Sequence, residues 1–136
     1  MQVKKILVAG LLAVITFISC SKKSDDKLTP PEVSIDGEWA GKSSVLSGPY
    51  NSYYSFKIKP GGTMELLDAN KQKTGEGTWE IEQGNIFSAT YSFLPPASGT
   101  FSVIATFDKI KGELDGTWGS GQQIYGGGYW YMSKTK

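Results

Sequence analysis

From Asp36 onward the chain alternates apolar and polar residues with a period of two, and this pattern restarts every ten to fifteen residues. Successive side chains of a strand point to opposite faces, so such alternation marks half-buried strands. Trp39, Gly41, Ser43 and Val45 share one face of a first segment, and Tyr54, Phe56 and Ile58 share a face of the second. Met64 with Leu66 follows after the turn Pro60-Gly61-Gly62. A loop is expected over Asn70–Gly75, before Gly77, Trp79 and Ile81 alternate with Thr78, Glu80 and Glu82. Phe87, Ala89, Tyr91 and Phe93 form the next face, then Phe101, Val103, Ala105 and Phe107. Leu114, Gly116 and Trp118 precede a last strand over Gly128–Lys134, in which Trp130 and Met132 share a face. No window sustains a helical period. Eight strands of ~8 residues with seven turns of ~4–5 need roughly 95–100 residues, and Asp36–Lys136 supplies them. Sequential hairpins predict an up-and-down meander, closed into a barrel or, as the alternative, stacked as a β-sandwich. Closure removes exposed edge strands, which favours the eight-stranded antiparallel barrel.

Glycine and tryptophan form one pattern. Each of the four Trp has Gly two residues earlier: Gly37 and Trp39, Gly77 and Trp79, Gly116 and Trp118, Gly128 and Trp130. In a strand the two share a face, so the glycine clears room for an indole or for a bend at a barrel corner. Core packing is the plain expectation for these tryptophans, and lining a ligand cavity or a sugar-stacking platform is the functional one. Trp118 and Trp130 flank the loop Gly119–Gly128 and are the preferred pair for such a role. Gly37-x-Trp39 at the opening of a small meander resembles the start of lipocalins and other calycin barrels. Gly61-Gly62-Thr63-Met64 and Gly112–Gly119 look like the lipocalin-like domains of small Bacteroidota lipoproteins. The resemblance spans roughly Asp36 to Lys134 and implies a lipocalin-like barrel over 36–136.

The first residues form an address rather than a fold. Lys4 and Lys5 precede an apolar run, Ile6–Ile18, of 13 residues. As a helix it would span about 20 Å, too short for a ~30 Å hydrocarbon core. Residues 1–19 therefore match a secretory signal peptide. Phe17-Ile18-Ser19-Cys20 resembles a bacterial lipobox, which implies cleavage before Cys20 and a lipid, such as palmitate, on its thiol. Such a chain is anchored to a membrane rather than spanning it. Residues 20–35 are polar, charged and proline-punctuated, as a tether is. Lys23-Ser24-Asp25-Asp26 resembles the acidic export signal of Bacteroidota surface lipoproteins. Outer-membrane anchoring follows as an expectation, on the periplasmic face or displayed at the surface.

Composition excludes several functions. The chain contains no His, no Arg and a single Cys. A Ser–His–Asp relay and an imidazole metal site are thereby absent, as is a guanidinium clamp for phosphate. Removing residues 1–19 takes Lys4 and Lys5 from the 14 lysines, leaving 12 against 13 carboxylates, a formal charge of −1. That balance gives no footprint for nucleic acid and no polybasic patch for anionic lipid. The pairs Glu80 with Glu82 and Glu113 with Asp115 could serve acid–base hydrolysis only if buried in a cleft, but both oppose an apolar face. No enzyme activity, metal or cofactor is expected.

Tyrosine is the remaining surplus. Tyr50, Tyr53 and Tyr54 cluster around the start of the second strand, and Tyr125, Tyr129 and Tyr131 around the last. Tyrosine joins contact area to a polar tip, which suits sugars, peptides and protein surfaces. The expected site residues are Trp39, Tyr53, Tyr54, Trp79, Trp118, Tyr125, Tyr129 and Trp130. The expected function is contact with a partner protein or glycan through Tyr/Trp-rich barrel-end loops. The alternative is a lipocalin-like carrier of a small hydrophobic molecule in the barrel mouth. Eleven large side chains face inward, so the interior should be filled, with at most a shallow pocket at one end.

Overall fold

The computed structural model describes residues 29–136, so the expected signal peptide, Cys20 and the part of the expected tether up to residue 28 lie outside the described residues. Eight strands follow in order: β1 (Gly37–Ser43), β2 (Ser52–Lys59), β3 (Thr63–Leu67), β4 (Lys73–Glu82), β5 (Ile86–Phe93), β6 (Thr100–Asp108), β7 (Glu113–Ser120) and β8 (Gly128–Lys134). Each pairs antiparallel with the next, and β1 pairs with β8, so the sheet is a closed barrel without a free edge. This is the up-and-down architecture expected from the alternation, and it is compatible with a lipocalin-like fold. The sandwich is excluded by the β1–β8 ladder, which runs from Trp39 opposite Lys134 to Ser43 opposite Trp130.

The period-two pattern sorts side chains between interior and water. Trp39, Phe56, Phe87, Val103, Leu114, Trp130 and Met132 have no exposed surface. The outward positions carry Lys57, Glu65, Glu76, Glu80, Thr90, Glu113 and other polar residues. A barrel that spans a membrane has the reverse arrangement, with an apolar belt outside. This one is built to stand in water.

The two ends differ. Short turns at 60–62, 83–85 and 109–112 close one end. The incoming chain seals it: the Val33 amide donates to the Lys109 carbonyl at 2.8 Å, and the Trp39 indole donates to the Ile35 carbonyl at 2.8 Å. Longer loops at 44–51, 68–72, 94–99 and 121–127 surround the other end, which stays open.

Two sequence expectations shift. The polar stretch Asn70–Gly75 is not wholly a loop, because Lys73, Thr74 and Gly75 belong to β4. They are held from both sides: the Thr74 hydroxyl donates to the Leu66 carbonyl, and the Leu94 amide donates to the Thr74 carbonyl. At the first strand, Val45 does not continue the Trp39 face and is 64% exposed. The strand ends because Ser44 turns inward, its amide donating to the Tyr129 carbonyl at 2.8 Å and its hydroxyl accepting the Tyr129 amide at 3.1 Å. Leu46 then adopts a φ of 53° and the chain leaves the wall.

Candidate functional site

The open end holds a pocket of about 380 Å³. Its walls come from the mouth-proximal ends of seven strands, β1 to β7. Leu66 and Leu67 end β3, Phe93 ends β5, and Phe101 opens β6. Trp118 lies near the end of β7, and Tyr53 with Tyr54 near the start of β2. Tyr54 and Tyr91 sit two residues in from the mouth-side ends of β2 and β5, so both reach the same inner level. Their hydroxyls meet at 2.7 Å across the barrel. Beneath them Phe56, Phe87 and Trp130 interlock, with Tyr54 to Trp130 ring centroids 5.6 Å apart and Phe56 to Trp130 at 5.5 Å. The lower barrel is thus packed solid, and the tyrosine pair forms the floor of what stays open.

The pocket is aromatic and nearly uncharged. Phe93 packs edge-on against Phe101 at 5.5 Å, and Phe101 against Trp118 at 5.9 Å. Among the described residues, Asp68 is the one charged residue lining it. Its Oδ1 accepts the Asn70 and Gln72 amides at 2.9 Å each, an Asx turn that shapes the β3–β4 loop. Burial pushes the Tyr91 hydroxyl up to about 12. Burial, followed by the charge of its neighbour Tyr91, raises Tyr54 well above the ordinary tyrosine range. Both phenols therefore stay protonated at physiological pH.

The eight expected site residues separate into three groups. Trp39, Trp79 and Trp130 are structural clips: their indole N–H groups donate to the carbonyls of Ile35, Lys59 and Thr117 at 2.8–2.9 Å. Trp39 lies at the sealed end, Trp79 beside the 60–62 turn, and Trp130 in the core. Tyr53, Tyr54 and Trp118 meet in the mouth pocket. The Trp118 indole also donates to a backbone carbonyl, that of Ser44 at 2.9 Å, so it offers a ring face but no free donor. Tyr125 and Tyr129 instead line a separate depression outside the rim, with Leu46 and Thr117.

That outer surface is the second feature of the mouth end. Val45, Leu46, Tyr50, Tyr125, Tyr129 and Tyr131 are exposed there, and Tyr50 packs edge-on against Tyr131 at 5.1 Å. A third depression lies on the outer wall among Thr78, Glu80, Thr90, Ser102 and Gln122. Two of its hydroxyls are paired inside the protein: Thr90 bonds Ser102 at 2.8 Å, and Ser102 donates to the Gly121 carbonyl at 2.6 Å. The paired carboxylates Glu80 with Glu82 and Glu113 with Asp115 face water on the barrel exterior.

Tyr91, Leu66, Phe93 and Phe101 are pocket residues that the sequence expectation did not assign to a site. One signal for Tyr91 was present. It is the single inward-facing hydroxyl on an otherwise apolar face of β5, as Tyr54 is on β2. Counting from the strand ends would have placed both phenols at one level. Compared with known proteins, the chain matches no family model, no curated protein and no solved structure.

Proposed function

We propose that this protein is a non-enzymatic binding protein that holds one small, largely apolar molecule in the barrel mouth. One observation carries the reading: above a solid aromatic floor, Leu66, Phe93, Phe101 and Trp118 surround an open pocket of about 380 Å³. That volume lies at the lower end of the range for small-molecule sites, and an apolar lining with a few convergent polar groups is their usual character. Burying apolar ligand surface there contributes about 25 cal/mol per Å². The uncharged fluorophore N-phenyl-1-naphthylamine tests the proposal. Saturable 1:1 binding is expected, and Leu66→Trp, which fills the pocket from β3, should abolish it without unfolding the barrel. Absence of saturable binding, or binding unchanged in that variant, would refute the mouth as the site.

A second reading rests on the exposed surface formed by Val45, Leu46, Tyr50, Tyr125, Tyr129 and Tyr131. Contact with a partner protein or a glycan through this rim is what the tyrosine clusters of the sequence suggest. Six exposed apolar and aromatic residues at one end exceed the scatter of single ones on an ordinary surface. Alanine substitution of Tyr125 and Tyr129 would weaken such contact and leave fluorophore binding in the mouth intact. The domain is carried at the outer membrane on a lipidated Cys20, as its lipobox-like segment suggests.

A further inference from the structure

We infer that the mouth pocket selects an uncharged ligand bearing a hydrogen-bond-accepting oxygen at its buried end, and rejects the matching carboxylate. The inference rests on the mouth being the binding site and adds the chemical class that it takes. Its basis is a count of hydrogens at the pocket floor. Each phenol carries one O–H donor. Tyr54 and Tyr91 share a single bond of 2.7 Å, which uses one of the two donors whichever way it runs. The other O–H has no further protein acceptor among the described residues. It sits among rings: Phe56 lies 4.8 Å from Tyr54, and Phe101 and Phe93 lie 5.9 and 6.1 Å from Tyr91. An apolar ligand that covered this donor without accepting from it would leave a buried polar group unpaired. A ligand carbonyl, ether or hydroxyl oxygen placed over the pair removes that penalty.

Charge makes the second half of the selection. Among the described residues no lysine lines the pocket, and its one charged residue is the carboxylate Asp68 at the rim. An anionic head group would lose its hydration, gain no counter-charge and face a like charge on the way in. The phenols, raised by burial, remain donors and do not become a second source of negative charge at physiological pH.

Three naphthalenes of nearly one shape test this: 2-acetylnaphthalene, 2-isopropenylnaphthalene and 2-naphthoate, titrated into the purified protein at pH 7 by calorimetry. The acetyl compound should bind about tenfold more tightly than the isopropenyl one, and at least as far above the carboxylate. In Y54F/Y91F, which replaces both partners by shapes that need no hydrogen bond, the acetyl preference over isopropenyl should fall to about onefold. Circular dichroism and a melting curve establish that the double variant is folded. Each single variant keeps one phenol and should retain part of the preference. Equal wild-type binding of the acetyl and isopropenyl compounds would overturn the inference and leave the pocket as a ligand site. So would tighter binding of 2-naphthoate, or a preference that survives in the double variant. Binding of none of the three would refute the mouth-pocket reading itself.

Discussion

Gly77 and Gly116 show why glycine precedes tryptophan in this barrel. A Cβ on Gly77 would collide with the Thr90 carbonyl oxygen and the Tyr91 Cα, and one on Gly116 with the Ile104 carbonyl oxygen and the Ala105 Cα. The obstacle is the backbone of the neighbouring strand rather than the indole, so the glycines permit tight coiling of the wall. Backbone cannot move aside as a flexible side chain does. Gly77→Ala and Gly116→Ala should each destabilise the barrel by about 2–4 kcal/mol, read as a lower urea midpoint. Ser44 works at the same scale. It is 1% exposed, and its hydroxyl accepts the Tyr129 amide while reaching the Leu46 carbonyl at 3.3 Å. Ser44→Ala leaves the part-buried Tyr129 amide without its hydroxyl acceptor and should cost about 1–2 kcal/mol. Amide exchange at Tyr129 should rise with it, and unchanged exchange would show that the hydroxyl is dispensable.

At the scale of elements, the Tyr54–Tyr91 bond links β2 to β5 across the barrel, strands that do not pair with each other. Burial of the pair makes stability depend on pH. Burial raises Tyr91 to about 12 and Tyr54 well above its ordinary range, whereas an unfolded tyrosine ionises near ~10. A raised folded value means that the folded state holds protons that the unfolded state releases. The stabilisation is complete below pH ~10 and is lost as pH climbs from there toward about 12. The slope approaches ~1.4 kcal/mol per pH unit for each tyrosine involved. Denaturant midpoints measured from pH 9 to 11.5 should therefore fall more steeply for the wild type than for Y54F/Y91F. Lysine titration is common to both proteins, so parallel curves would show that the pair adds nothing.

For the molecule as a whole, the chain enters at the sealed end, where Val33 and Ile35 dock, and the pocket opens at the opposite end. The lipid anchor proposed at Cys20 would lead into the barrel from the sealed end and leave the mouth clear. With Cys20 lipidated, the protein should fractionate with membranes, and Cys20→Ser should move it to the soluble fraction with its fold and mouth pocket unchanged. Mass spectrometry of the mature N-terminal peptide supplies the direct readout, as a lipid-sized mass on Cys20. An unmodified peptide from membrane-bound protein would refute this anchor.

The alternation along the chain was sufficient for strand number, inward faces and closure, because each is set by local periodicity and by the need to remove edges. Tyr54, Phe56 and Ile58 point inward as their spacing required, and so do Phe101, Val103, Ala105 and Phe107. Strand ends were less legible. Ser44 and Thr74 take their roles from hydrogen bonds to Tyr129, Leu66 and Leu94, partners that local pattern does not reveal. The site divided in the same way. Four tryptophans stood out in the sequence, yet each indole N–H is committed to a backbone carbonyl. The pocket floor belongs instead to two tyrosines that lie 37 residues apart. The sequence alone determined a water-facing eight-stranded barrel with a crowded aromatic interior. Only the tertiary structure decided where that crowding stops, because the level at which two distant strands bring their side chains together depends on register around the closed wall.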